Sequence, residues 1–453
     1  MNKKAENSGE DPTFQKKLRA IKKNIFSIIA KENFVRWIGS VSKIIGLTLE
    51  CTIPGALLGE VCEIVTDSGE KKFAEVVGFR GEKTLLVLLG SSGGLHQGSK
   101  VYRTGKILQI PVGQSLLGRV LDSLGKPIDG KPLGDFQEYR GIDADPPEAF
   151  GRPRIKEVFS TGVRAIDGFL TLGVGQRVGL FAGSGVGKST LLGMIARYSD
   201  SEINVISLVG ERGREVQDFI EESLGEEGLK KSVVVIATSD QPSMFRMKCL
   251  YTATTIAEYF RDQGKKVMLM VDSVTRMAMA GREVGLSLGE PPTMKGYTPS
   301  VFAMLPRVLE RAGNSKRGSI TAIYSVLVDG DDFNEPIADT TRGILDGHIL
   351  LSRDLAEKNH FPAINVLGSI SRLFTELAQD QHKQATAELR NLLAVYQKSE
   401  DLITIGAYEK GTDTKVDRAI DLQEPIEDLL KQDTYSPTRF EETIESLVSI
   451  ASQ

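Results

Sequence analysis

The spacing of apolar residues changes three times along the chain, and each regime predicts a different kind of structure. Phe14, Leu18, Ile21, Ile25 and Ile28 fall at alternating steps of four and three, the repeat that lines up one face of an α-helix. The opposite face carries Lys16, Lys17, Arg19, Lys22 and Lys23, with no acid between residues 14 and 30. Such a helix can dock on a partner helix or an acidic lipid surface, or fold back on its own domain. From about residue 35 to residue 110 short apolar runs at 44–49, 61–65, 73–79 and 84–89 are separated by glycines, which predicts the strands of a small β-barrel. Between 111 and about 371, strand-like runs alternate with helical stretches, the signature of a parallel sheet covered by helices. Beyond Arg372, residues 373–399 and 425–450 read as helices, with Gly406 and Gly411 marking the turn between them. The expected division is a helical segment at 1–37, a barrel at 38–110, an α/β core at 111–375 and a helical domain at 376–453, without internal repeats.

Composition narrows this picture mainly by exclusion. A chain of 453 residues is long enough for two or three domains. With 40% hydrophobic and 26% charged residues and a net charge of -4, it is neither a disordered chain nor a strongly basic nucleic-acid binder. Cys51, Cys62 and Cys249 are too few for a disulfide framework and lack zinc-site spacing, so they read as buried thiols of a reducing compartment. No apolar run approaches the ~20 residues that cross a bilayer, and the polar, lysine-bearing start has no signal-peptide core. The expected location is the cytoplasm.

The candidate chemistry sits in the α/β segment. Residues 177–182 read as a strand that leads into Gly183, Ser184, Gly185, Val186, Gly187, Lys188, Ser189 and Thr190, followed by a helical run at 191–197. This is a phosphate-binding loop in its required strand–loop–helix context. Glycines let the backbone wrap a phosphate closely and turn successive N–H groups inward, while the helix N-terminus adds partial positive charge. Lys188 would neutralise the β- and γ-phosphates of ATP, and the Ser189 hydroxyl would join the Mg²⁺ shell. One departure from the usual pattern is Ala182 in place of the opening glycine; it precedes the tightest part of the loop, so little loss is expected.

Phosphate binding alone does not make a hydrolase. Residues 266–271 read as a buried strand ending in Asp272, the position for a carboxylate that orients Mg²⁺ through water, or alternatively one that caps the following helix. A further strand, 203–209, runs into Gly210-Glu211-Arg212-Gly213-Arg214-Glu215. At the carboxyl edge of such a sheet Glu211 is placed to polarise an attacking water.

These segments, together with Ala-Thr-Ser-Asp-Gln-Pro (237–242), Gly-Glu-Pro-Pro (289–292), Tyr-Thr-Pro-Ser-Val-Phe (297–302) and Phe-Pro-Ala-Ile-Asn-Val-Leu (361–367), resemble the type III secretion ATPases. Those are relatives of the catalytic β subunit of rotary F- and V-type ATPases, and the resemblance covers about residues 41–432. It implies a RecA/F1-like P-loop core between an N-terminal β-barrel and a C-terminal helical domain, working as a homo-hexamer that hydrolyses ATP with Mg²⁺. Val-Gly-Phe-Arg (77–80) and Ile-Gly-Ala-Tyr (405–408) look more like the flagellar export branch, whereas Gly-Thr-Asp-Thr (411–414) and Asp-Arg-Ala-Ile-Asp (417–421) look like the injectisome branch.

By position, the resemblance makes Glu211 the catalytic base and Arg212 its companion near the γ-phosphate. It makes Arg372 an arginine finger reaching the neighbouring subunit's site, and Phe361 an aromatic against the adenine ring. The acid-rich loop 329–335 matches a segment that faces the ring pore and a coiled-coil stalk. Further implied partners are a stator-like regulator on the N-terminal helix, an export gate, chaperones and export substrates. No nucleic acid is implied, and the protein would sit peripherally at the inner-membrane export apparatus. Two other classes fit less well. A non-catalytic ring subunit would lack the carboxylate at Glu211, and an RNA translocase would carry clustered stacking aromatics in its barrel, where residues 41–110 offer only Phe73, Phe79 and Tyr102.

Overall fold

The computed structural model describes Lys22 and residues 38–453, except 133, 135, 137 and 329–332. Apart from Lys22, the amphipathic helix expected over 14–29 lies outside the described residues, as do the four leading residues of the acidic loop. Among the described residues no helix is long and apolar enough to cross a membrane.

Six strands, β1 (Ile38–Ile45), β2 (Thr48–Thr52), β3 (Glu60–Val65), β4 (Lys71–Arg80), β5 (Lys83–Leu88) and β6 (Lys100–Ile107), close into a barrel in the order β1-β2-β5-β4-β3-β6. Closure removes the sheet edges, and alternate side chains such as Val41, Leu49, Cys62, Ile64, Leu86 and Val101 fill the interior. The apolar run 44–49, expected to be one strand, instead straddles a hairpin. Gly46 takes φ 58 there and reverses the chain between β1 and β2, a turn that hydrophobicity alone hides. Lys248 of the core pairs with Glu75 of β4 at 2.8 Å, and Met244 and Val284 pack against Val87 and Leu89, so barrel and core share a joint.

The core sheet contains β7 (Arg119–Asp122), β8 (Arg177–Ala182), β9 (Ile203–Glu211), β10 (Ser232–Thr238), β11 (Lys266–Asp272), β12 (Ser319–Leu327), β13 (Gly347–Leu350) and β14 (Ile370–Ser371). Their order is β14-β13-β8-β12-β11-β9-β10-β7, parallel throughout except for β14, which runs antiparallel to β13. Alternation along β9 shows why both faces need cover: Val205 and Val209 enter one hydrophobic cluster, Ile206 and Leu208 the other. Helices α1 (Lys188–Tyr198), α2 (Ser243–Asp262), α3 (Val274–Ser287) and α4 (Pro299–Leu309) supply it. Leu191, Leu192 and Ile195 of α1 pack on one face, and Leu250, Ala253 and Ile256 of α2 on the other.

The C-terminal region departs from expectation. Three long helices follow, α5 (Asp380–Thr404), α6 (Thr414–Leu430) and α7 (Phe440–Ala451), rather than one after Gly411 spanning 425–450. Asp413 accepts from the Lys415 N–H at 2.8 Å and starts α6 early. The helix then runs through Pro425, whose missing N–H costs about 3 kcal/mol in a helix interior, because Leu422, Ile426, Leu429 and Leu430 on either side are buried against the core. The chain leaves helical geometry at Lys431–Arg439.

One buried ion pair braces the face opposite α1. Arg311 is fully buried; it bonds Glu258 on α2 through Nε (3.0 Å) and Nη2 (2.6 Å), the Ile142 carbonyl at 2.7 Å and Thr255 Oγ1 at 2.9 Å. Truncation to Arg311→Ala is expected to lower stability by roughly 3–5 kcal/mol, because it leaves the Glu258 charge buried and unpaired. The double variant Arg311→Met/Glu258→Leu should recover most of that loss. Urea unfolding of the three proteins reads both effects.

Candidate active site

The phosphate loop begins where β8 ends. Ala182 remains in the strand, paired with Leu327 of β12 and buried, at no positive φ; this is why the position tolerates a residue other than glycine. Gly185 (φ 78) and Gly187 (φ 86) are left-handed, and these two positions require glycine. Val186 between them is buried in the core and anchors the loop, while Ser184, Ser189 and Thr190 are exposed at its mouth. Gly187 precedes α1, so Lys188 is the first residue of that helix and the unpaired N–H groups of its first turn face the loop.

Two carboxylates converge on Lys188. Its Nζ lies 2.5 Å from Asp272 Oδ1 and 3.9 Å from Glu211 Oε1, and all three side chains are largely buried. Strand order explains the meeting. β12 lies between β8 and β11, and its Ser325 hydroxyl donates to Asp272 Oδ1 at 2.7 Å, which fixes the carboxylate at the end of β11. Glu211 ends the next strand, β9, just after the pairing with β10 slips at Gly210 (φ 72). Such a bulge re-aims the side chain that follows it. A Cβ at Gly210 would stand 3.2 Å from the Arg276 side chain, so the glycine also leaves room for the stem of that residue, whose charge acts on Glu211 against the effect of burial.

Burial is the largest influence on Glu211, and the neighbouring Asp272 carboxylate adds to it; together they raise its pKa to about 7 against the opposing pull of Lys188. Hydrogen bonding to Glu215 contributes in the same direction. A carboxylate poised there suits general-base work near neutral pH. If Glu211 is the base, its protonated form is inactive, so kcat/KM should fall as pH drops through about 7, with Glu215→Gln moving that limb to lower pH. A pH–rate profile of both proteins checks the sign.

Three other expected residues lie outside the Lys188 cluster. Phe361 is partly exposed and lies against the loop, 3.5 Å from where a Cβ on Gly187 would stand. Its carbonyl accepts from the Gln432 N–H at 2.9 Å, so the helix break after α6 holds it in position. Arg212 follows Glu211 directly, yet its side chain is 81% exposed and pairs with Glu215 at 3.1 Å rather than joining the Lys188 cluster. The reason is local: Arg212 is the cap of the short helix Gly213–Asp218, which directs it outward. Arg372 is exposed, and its backbone N–H bonds the carbonyl of Asp346, the residue whose side chain pairs with Arg177. Arg177 begins β8 and the phosphate loop follows its end, so Arg372 stands at the opposite edge of the sheet from its own chain's loop.

Sequence reasoning missed Ser325, Glu215 and Arg276. Arg276 carried a usable signal, one helical turn after Asp272; its Nε is buried without a hydrogen-bond partner among the described residues. The donor set also fits Mg²⁺. Among the described residues no three His, Cys, Asp or Glu side chains gather to hold a metal by themselves. One hydroxyl (Ser189) and one carboxylate (Asp272) are what an ion arriving with a triphosphate needs from the protein.

Fold and site together define a P-loop ATPase with a barrel before the nucleotide core and helices after it. Residues 162–371 match the ATP synthase alpha/beta family, nucleotide-binding domain; 41–105 match the beta-barrel domain of that family, and 378–449 the T3SS EscN ATPase C-terminal domain. The chain is 54% identical over 414 residues to the flagellum-specific ATP synthase of Bacillus subtilis, covering 91% of this chain and 94% of that protein. It is 49% identical over 413 residues to the type 3 secretion system ATPase of Xanthomonas euvesicatoria, with 91% and 93% covered. Among solved structures, the assembled ATPase EscN in complex with its central stalk EscO, from enteropathogenic E. coli, superposes with a TM-score of 0.85 at 45% identity, covering 91% of this chain and all of that one. The chain belongs to the flagellar and type III secretion ATPases within the ATP synthase alpha/beta family. It is a nucleotide-binding ATPase.

Proposed function

We propose that this ATPase works as a homo-hexameric ring that energises flagellar type III protein export, with each ATP held between two subunits. The observation that carries this reading is the division of the site. Lys188, Glu211 and Asp272 converge at one edge of the sheet, whereas Arg372 stands at the other. One chain therefore holds a cradle and a base, and a second copy is the natural source of the finger.

In this reading the triphosphate enters the loop and takes over Lys188, which lets go of Asp272. The first-turn amides of α1 and the Lys188 ammonium hold the β- and γ-phosphates. The Ser189 hydroxyl and, through water, the Asp272 carboxylate would hold Mg²⁺, which would supply charge neutralisation at the phosphates. Glu211 accepts the proton of the attacking water, oriented by Arg276, and the neighbour's Arg372 stabilises charge developing on the γ-phosphoryl oxygens. Phe361 offers its exposed face to the adenine. Arg212 is left a role only if it turns inward when nucleotide binds.

The partners proposed are a stator-like regulator on the N-terminal helix, a coiled-coil stalk in the pore, the export gate, chaperones and export substrates, at the cytoplasmic face of the inner membrane. EscN, solved with its central stalk, supports the stalk. An injectisome role is the second reading, favoured by the likeness to the Xanthomonas ATPase; co-purification of a hook-and-rod or a needle export complex with the tagged chain separates the two. Ring catalysis has a direct test: specific activity should rise steeply with protein concentration through the assembly range. A flat dependence across that range counts against it.

A further inference from the structure

The strand that delivers Arg372 is short. Its two residues, Ile370 and Ser371, pair with His348 and Gly347 of β13. A Cβ at Gly347 would stand 2.5 Å from the Ile370 carbonyl oxygen, so a glycine is what lets the two strands meet. Upstream, Arg390 of α5 donates to the carbonyls of Leu367 and Ser369 at 3.1 and 3.2 Å. A two-residue ladder and an upstream clamp are little to aim a long, exposed side chain at a site on another subunit.

Gln176, the residue before β8, supplies what is missing. It is fully buried, and its amide Nε2 donates to the Ser371 hydroxyl at 3.1 Å and to the Asp346 carbonyl at 3.2 Å. Ser371 is the chain neighbour of Arg372, and the Asp346 carbonyl is the one that accepts the Arg372 backbone N–H at 3.0 Å. One amide therefore grips the finger through the residue before it and through its backbone acceptor. The amide is itself fixed. Its Oε1 accepts from the Gly173 N–H at 2.8 Å, and the Gln176 carbonyl accepts from the Ala322 N–H of β12 at 2.9 Å. Its two partners are fixed as well: the Ser371 hydroxyl donates to the buried Thr171 carbonyl at 3.1 Å, and Arg177 holds the Asp346 carboxylate through Nε (3.1 Å) and Nη2 (3.2 Å).

We propose that Gln176 is a positioning residue for hydrolysis, setting the direction in which Arg372 leaves its own subunit toward the neighbour's nucleotide. The proposal rests on the finger role given to Arg372. A finger acts on charge that develops in the transition state, so misaiming it lowers kcat and leaves substrate binding alone. A displacement of about 1 Å is enough to cost on the order of 10²-fold. The whole length of β8 separates Gln176 from the phosphate loop, so removing its amide leaves the chain's own cradle in place.

Gln176→Met in the full chain keeps the length of the side chain and removes its amide. Expected is a loss of kcat of at least about tenfold, with KM within about threefold of the parent. Mixed rings then show which half of the site is damaged. Combined with Glu211→Gln, which keeps a well-aimed finger, Gln176→Met should regain roughly a quarter of parental hydrolysis. Combined with Arg372→Ala, it should gain nothing, because no finger in those rings is both present and aimed. Ser371→Ala removes the other end of the contact at a partly buried position and should show the same order of the two mixtures; it carries the test if Gln176→Met does not fold. Parental kcat in both variants overturns the proposal, as does equal recovery in the two mixtures or greater recovery with Arg372→Ala. Glu211→Gln mixed with Arg372→Ala is the control. If that pair recovers and the Gln176→Met pair does not, this proposal alone falls; if that pair stays inactive, the finger reading falls and takes the proposal with it.

Discussion

Glu211→Gln should abolish most turnover, by about 10² to 10⁴-fold, while leaving nucleotide binding within a few-fold of the parent. The substitution preserves shape and removes only the capacity to take a proton. The cradle is elsewhere, in the α1 amides, Lys188 and the Gly185–Gly187 turn, so affinity for a fluorescent ADP analogue should persist. One compensation is expected. Glu211 and Asp272 share one ammonium within 4 Å, and neutralising the former relieves repulsion between them, so ADP affinity should rise rather than fall. Near-normal hydrolysis by Glu211→Gln would remove the base from the account.

Arg372→Ala should be at least as damaging, by about 10³ to 10⁵-fold, the range of an arginine finger in other phosphoryl-transfer enzymes. The structure makes this substitution informative because the side chain has little to do at home. It is exposed, and among the described residues its side chain makes one hydrogen bond, a long one of 3.5 Å to the Arg342 carbonyl. Folding stability should therefore change by less than about 0.5 kcal/mol, as for an ordinary surface position. A large loss of turnover without a loss of stability points to a partner that one chain does not contain. Arg372→Lys should rescue little, since an ammonium lacks the planar, forked donor set of a guanidinium.

Much of the site was legible because its chemistry is local in sequence. The strand 177–182, the glycines after it and the helix from Lys188 lie within one short stretch, and Asp272 and Glu211 each end an apolar run. What stayed hidden depends on long-range register. Ser325 reaches Asp272 only because β12 inserts between β8 and β11, and the Arg276 charge acts on Glu211 from a helix whose approach a side chain at Gly210 would crowd. Neither fact is written in the residues beside them. The outward course of Arg212 was hidden for a different reason: adjacency to Glu211 suggested a shared site, but one residue further along an extended chain points the other way. In the barrel the run 44–49 concealed a turn, and in the C-terminal region Pro425 looked like a helix start although buried neighbours carry α6 through it.

The shared site has one decisive measurement: mixing Glu211→Gln and Arg372→Ala proteins, each inactive alone, and assaying ATP hydrolysis after co-assembly. An interface pairing the intact Glu211 of one protein with the intact Arg372 of the other is complete. Random rings should therefore regain roughly a quarter of parental activity if each subunit supplies one half of every contact. If hydrolysis stays at the level of the separate mutants while mixed rings demonstrably form, the two residues do not serve one nucleotide across an interface, and the account is wrong.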